Sequence, residues 1–454
     1  MGRFLFAAAA AVLIFMVFVL NVELPSFLIK MIGVGGAIFY IRCLMTDNKF
    51  YVYAITLLYL PMAKIAPFVI AKGINLTNIL TLSLFARYYL FNASGRSNGE
   101  PRMRKTVNLI MLFILISFFQ GLIRSYSDSP MELLTYFFEM ISPWLFYLAF
   151  TGSLTSMTDV RQALTFSFVG SILSILNGFN EFLEKRDASS IEKSRLIGPL
   201  QQPNTYGAFI AYALPVFFAF ILFFGGRLRL TLAVVFLVGL KILFSTFSRG
   251  SYLAMGGAVL SQLYFKGRLF FVVSILAGSL SIAFFPQLIP ESVKTRMIGH
   301  TFRGGEISME GDIDASVTHR LMLWDAAETM IKESPLFGKG LLSFPYLVPR
   351  YLPIPLEERD THNMYMKIMV YMGIPALLAY LAFFFQTIKN AHTLLKKSQD
   401  PLRKSISLGA IGTCISLLIS CMFGSRLENL ELLCYFMTLS AIISFLAKHP
   451  EVEA

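Results

Sequence analysis

The chain reads as an all-α, polytopic helical membrane protein of roughly 12 to 14 transmembrane helices, with one large, partly helical external loop. Three observations predict this. Of the 454 residues, 56% are hydrophobic and only 15% charged, against about 25% charged in an ordinary soluble domain. Apolar runs of spanning length recur from end to end, and they are interrupted once by a long polar insertion, near 287–361. A water-soluble fold is therefore excluded. The chain divides into an N-terminal bundle over 1–286, the insertion over 287–361, and C-terminal helices over 362–454.

Leu5 to Leu20 follows Arg3 like a signal peptide, but no convincing cleavage site precedes the next run, so it is read as the first span. Further runs lie near 26–42, 50–70, 76–92, 106–124, 133–151, 160–178, 205–225, 229–245, 250–264, 268–286, 363–386, 405–423 and 428–446. The run at 250–264 is short, and Pro61, Lys64 and Pro67 interrupt the one at 50–70. Either suits a broken or re-entrant helix lining a cavity.

The formal charge is +12, which in a membrane protein points first to inner-leaflet anchoring and then to an anionic ligand, with nucleic acid a poor fit. With the N-terminus in the cytoplasm, Arg102, Arg104 and Lys105, Arg227 and Arg229, Lys266 and Arg268, and Lys396, Lys397, Arg403 and Lys404 all fall inside. The same alternation puts 179–203 and the insertion outside. Cationic residues there and in the outer hairpin at Arg249, among them Arg195 and Arg320, fit either an anionic ligand or the indifference of long loops to the positive-inside rule. Cys43, Cys414, Cys421 and Cys434 sit in apolar runs without CxxC spacing, which indicates neither a zinc site nor a disulfide framework.

Within the insertion, Asp314 or Ser316 is placed to cap a helix near 317–332, ending before Pro335, Gly338 and Gly340. Leu321, Trp324, Ala327 and Ile331 would form its apolar stripe. Asp312 and Asp314 have the spacing of a carboxylate metal site, although two acids in a polar loop are more often solvated or capping. Glu139 and Lys241 fall inside spans, where ionisable groups are functional candidates or structural partners.

The most informative stretch is Asp360-Thr-His-Asn-Met-Tyr365, which runs straight into an apolar segment containing Gly373 and Pro375. His362 stands at a helix mouth, where a neutral imidazole takes a proton from a sugar hydroxyl, or serves as an interfacial structural histidine. Arg249, in Phe247-Ser-Arg-Gly-Ser251, and Arg320, in His319-Arg-Leu-Met-Leu-Trp324, lie on the same side by this topology. Guanidinium forks hold phosphate bidentately, and a helix N-terminus adds donors, so the pair suits a diphosphate. Alone, each would be a snorkelling or solvated charge. Gly198-Pro-Leu-Gln-Gln-Pro-Asn204 forms a rigid outer turn whose Gln202 and Asn204 contact sugar hydroxyls or, for Asn204 in preference, cap the next helix. Arg195, Asn363 and Tyr365 complete the candidate substrate contacts.

The order of Gly198-Pro-x-x-x-Pro-Asn204, Ser248-Arg-Gly250, Arg320-x-x-x-Trp324 with Pro335-Leu-Phe-Gly-Lys-Gly340, and His362-Asn-x-Tyr365 with Gly373-Ile-Pro-Ala resembles the O-antigen ligase and polysaccharide polymerase superfamily, over about 195–385. That resemblance implies a GT-C-type glycosyltransferase of the bacterial inner membrane. It would move a glycan from an undecaprenyl diphosphate carrier to a glycan or lipid acceptor at the extracytoplasmic face, inverting the anomeric centre without metal or other cofactor. It implies that Arg249 and Arg320 hold the diphosphate and that His362 activates the acceptor; a chain-length regulator would be a partner in the polymerase branch. The rival reading is a transporter or flippase for an anionic or lipid-linked substrate, which would place its ionisable groups at mid-membrane.

Overall fold

The computed structural model describes residues 26–65, 69–71, 74–91, 102–126, 129–186, 191–284, 315–352 and 359–449. The run at 5–20 and the Asp312 to Asp314 segment lie outside the described residues. The described residues form a helical bundle, as the hydropathy pattern requires. In chain order the helices are α1 (Ser26–Met45), α2 (Lys49–Tyr59), α3 (Leu76–Phe85), α4 (Arg102–Arg124), α5 (Pro130–Ser153), α6 (Met157–Glu184), α7 (Pro203–Phe223), α8 (Gly226–Ser245), α9 (Arg249–Lys266), α10 (Arg268–Phe284), α11 (Ala315–Glu333), α12 (Met364–Met372), α13 (Ile374–Lys397), α14 (Pro401–Cys421) and α15 (Leu430–Lys448). Among the described residues, α5, α6, α7, α8, α14, α15 and nearly all of α4 are long and apolar enough to cross a membrane. The interrupted run near 50–70 does break: α2 ends at Tyr59, a 3₁₀ turn follows at Leu60–Met62, and Val69–Ala71 pairs antiparallel with Ile74–Asn75.

Lipid tails offer the helices no hydrophobic reason to associate, so close approach and polar cross-links hold them. α14 shows both devices against α7. A Cβ on Gly409 would meet the Cα of Val216 at 3.2 Å. Thr413 donates to the Tyr212 carbonyl at 2.9 Å, and Ser416 to that of Ala211 at 2.7 Å. Pro215 lies inside α7, and fully buried Gln262 of α9 donates to its carbonyl at 2.7 Å. Around α5 the core is aromatic: Trp144 meets Tyr380 and Phe383 edge-on at 5.1 and 5.2 Å.

One expected span is not continuous. The run at 363–386 breaks at Gly373, which ends α12 with φ of 84°. The stretch Pro335 to Leu341 wedges into the break: Lys339 N–H donates to the Val370 carbonyl at 2.7 Å, Gly340 N–H to Tyr371 at 3.0 Å, and Ile374 N–H to Pro335 at 2.8 Å. Leu341 N–H bonds the Ser117 carbonyl of α4 at 3.0 Å, and Ser117 Oγ bonds Tyr371 O at 2.8 Å. Broken backbone is tolerated in such a bundle only where protein satisfies its polar groups, and this wedge does so. A Cβ on Gly373 would lie 2.3 Å from the Leu336 carbonyl oxygen. Gly373→Ala is therefore expected to cost about 2–3 kcal/mol, from backbone strain and overpacking together. Gly256→Ala in α9, where nothing lies within 4 Å, should be neutral or mildly stabilising. Unfolding midpoints in detergent test the contrast, and equal midpoints would mean that the wedge does not fix the break.

The loop helix α11 starts at Ala315, two residues before the expected start, so Ser316 lies inside it. Its buried face is Leu323, Ala326, Ala327 and Met330, whereas Leu321 is 51% exposed. The stripe is rotated from the expected one because α11 packs on α12 rather than lying flat on a surface.

Candidate functional site

The antiparallel alternation gathers the α4–α5, α6–α7, α8–α9 and α14–α15 connections and the start of α12 at one end. Arg227, Arg229, Lys266, Arg268, Lys397 and Arg403 fall at the opposite end. At the first end the chain before α12 turns tightly. Asp360 Oδ1 accepts the His362 N–H at 2.7 Å, and His362 sits at φ 49°. Asn363 Oδ1 caps α12 through the Tyr365 and Met366 N–H groups at 3.0 and 3.3 Å. The other Asp360 oxygen takes Lys367 Nζ at 2.6 Å, and Ser425 Oγ donates to Oδ1 at 2.9 Å. Lys367 also pairs with Glu428 at 2.7 Å, and the Tyr136 hydroxyl donates to the same Glu428 oxygen at 2.5 Å. Burial pushes the Asp360 carboxyl up, but the Lys367 ammonium beside it, with the His362 N–H, prevails and holds it down at about 2. The carboxylate that fixes the His362 turn is thus ionised at neutral pH.

The helix that carries Arg320, α11, touches this turn. Trp324 Nε1 donates to the Thr361 carbonyl at 2.8 Å, one residue before His362. Arg320 lies four residues earlier on the same helical face, with Cβ atoms about 5–6 Å apart at that spacing. Arg249 stands on a different helix. It is the first residue of α9, Phe247 before it turns at φ 53°, and Ser248 gives the helix no side-chain cap. Gly250 packs so tightly on Phe423 that a Cβ would lie 2.8 Å from that side chain. Phe423 and Ser425 belong to the short α14–α15 connection, so the Arg249 turn and the His362 turn rest on one scaffold.

The remaining sequence candidates are engaged with the protein itself. Arg195 donates through Nε to the Thr246 carbonyl at 3.1 Å and through Nη2 to Asn204 Oδ1 at 2.9 Å. The expectation that Asn204 caps α7 is corrected: the helix starts at Pro203, Gln202 occupies the cap position without capping, and Asn204 is an acceptor for Arg195. Gln202 contacts the Thr205 hydroxyl. The Tyr365 hydroxyl donates to the Leu418 carbonyl at 2.5 Å, away from the His362 turn and into the bundle. Lys241 lies 4.8 Å over the Phe182 ring.

The Asp360–Lys367–Glu428–Tyr136 network is absent from the sequence reading. Lys367 carries a signal nevertheless, since it is an ionisable residue in an apolar run like Glu139 and Lys241. A cavity of about 400 Å³ borders the network, lined by Glu132, Thr135, Tyr136, Glu139 and Leu342 among others. Among the described residues, no group of three His, Cys, Asp or Glu side chains is placed to hold a metal.

These features define a polytopic helical membrane protein in which the Arg320 helix touches the His362 turn through Trp324, and the Arg249 and His362 turns share the α14–α15 connection. Residues 234–381 match the family model described as O-antigen ligase, a segment that holds Arg249, Arg320 and His362. The resemblance to the O-antigen ligase superfamily is borne out over that segment. A Rickettsia conorii protein named "Putative polysaccharide ligase" is 26% identical over 194 residues, which is 39% of this chain and 43% of that protein. The match therefore covers less than half of the relative.

Proposed function

We propose that the protein is an inverting, metal-independent glycosyltransferase of the polysaccharide ligase or polymerase kind, acting at the extracytoplasmic face of a bacterial cytoplasmic membrane. The observation that carries this is the Trp324–Thr361 contact, because it joins the Arg320 helix to the His362 turn across the long insertion. The donor is a glycan on undecaprenyl diphosphate, and the acceptor is a sugar hydroxyl on a glycan or lipid. His362 takes the proton from that hydroxyl as its oxygen bonds the anomeric carbon. The bond from that carbon to the phosphate oxygen breaks, and undecaprenyl diphosphate leaves. Arg249 and Arg320 stabilise the charge growing on the leaving diphosphate, which is already a good leaving group and needs no metal. The cavity beside Tyr136 and Glu139 provides room for the acceptor, and its carboxylates accept hydrogen bonds from sugar hydroxyls.

Arg249→Ala and Arg320→Ala should each weaken binding of an undecaprenyl-diphosphate-linked glycan by about tenfold or more, the worth of a charge-assisted hydrogen bond. Titration of purified variants with donor measures this. Wild-type affinity in both variants would remove the clamp from the mechanism.

A further inference from the structure

A buried cation at the same end is used by no step above. Arg426, in the α14–α15 connection, is only 8% exposed. Its Nη1 donates to Thr205 Oγ1 at 3.0 Å, its Nε is buried without a partner, and among the described residues no carboxylate pairs with it. Glu428, two residues on, is already committed to Lys367 and Tyr136. The backbone accommodates the guanidinium closely: a Cβ on Gly424 would lie 2.8–2.9 Å from Nη2, Cζ and Nε.

Arg426 is also in unfavourable company. Thr205, its hydrogen-bond partner, lies in the first turn of α7, whose N-terminus has no side-chain cap. Gly207, one residue past the first turn, packs on the equally uncapped start of α9, where a Cβ would meet Thr246 Oγ1 at 2.7 Å and Ser251 Oγ at 2.8 Å. Both N-termini carry positive partial charge and orphan N–H donors. The desolvated Arg426 guanidinium, with its Nε unpartnered, stands beside two such ends and adds its charge to theirs. An anion on Arg426 relieves this, and among the described residues no carboxylate does so for Arg426.

We infer that Arg426, with the N-terminus of α7, is a third anion-holding element of the donor site and takes a phosphate of the lipid diphosphate. This rests on the donor chemistry proposed above. A purely structural arginine would stabilise the unliganded fold. Arg426 instead holds the unliganded protein in a charge-strained state that diphosphate relieves.

The test is binding of undecaprenyl diphosphate to the purified full-length protein, with undecaprenol as the phosphate-free comparison. Arg426→Gln should bind the diphosphate at least about tenfold more weakly, leave undecaprenol binding unchanged, and unfold without ligand no earlier than wild type. Arg426→Lys keeps the charge but not the planar fork and should still bind several-fold more weakly. Wild-type affinity in either variant, or an earlier unliganded unfolding of Arg426→Gln, overturns the assignment of Arg426 alone. A wild-type protein that fails to take up the diphosphate overturns it together with the donor chemistry.

Discussion

Replacing His362 by Ala should lower glycan transfer by about 10²- to 10⁴-fold, the usual worth of a positioned general base, while donor binding stays near wild type. The expectation rests on position: the turn is held by the ionised Asp360 and tied to the Arg320 helix through Thr361. The backbone adds a complication, because His362 occupies the left-handed region at φ 49°. Alanine tolerates that region poorly, so His362→Ala also strains the turn. Asparagine is enriched there and cannot take the proton at neutral pH. His362→Asn should therefore keep the fold and donor affinity and lose transfer equally. Transfer by His362→Asn at the wild-type rate, measured with purified protein and defined donor and acceptor, would falsify the base assignment.

The helical architecture was legible because hydropathy reports directly on lipid exposure. Its interruptions were less so. Gly373-Ile-Pro375 reads as interior to one span, yet a helix-ending glycine followed by a proline in the next helix's first turn is the signature of a stop and restart. The missing information was the partner, the Pro335 to Leu341 wedge. At the candidate site, residue type and motif order single out His362, Arg249 and Arg320 as the residues to test. The sharp turns beside them were hidden, because Gln201, Phe247 and His362 adopt positive φ without being glycine. The Tyr136–Glu428 contact spans 292 positions, and no local spacing signals it. Arg426 looks like an ordinary loop arginine until its burial is known.

Lys367→Met should destabilise the protein by about 3–5 kcal/mol, the cost of stripping a buried ion pair of one partner. The ammonium is shared by Asp360 at 2.6 Å and Glu428 at 2.7 Å, and its side chain is 6% exposed, that of Glu428 9%. Both carboxylates lose their counter-ion together. Lys367→Met with Glu428→Gln should recover a substantial part of the loss, since the double variant leaves one buried charge fewer. The pH dependence should also change sign. In the wild-type protein Asp360 has its carboxyl lowered to about 2 from 3.8. Its contribution is present above the unfolded value and is lost as pH falls through about 2, so wild-type stability rises with pH across that window. Without Lys367, burial, which is the largest influence on the Asp360 carboxyl and pushes it up, is opposed mainly by the His362 N–H and the Ser425 hydroxyl and should prevail. The native state then binds the proton more tightly than the unfolded chain, and stability falls as pH rises above the unfolded value. Mild acid should thus partly rescue Lys367→Met. Unfolding midpoints in detergent across the acidic range measure both slopes. A variant with the wild-type midpoint and slope would show that Asp360 and Glu428 do not depend on Lys367, and the His362 turn would then need another anchor.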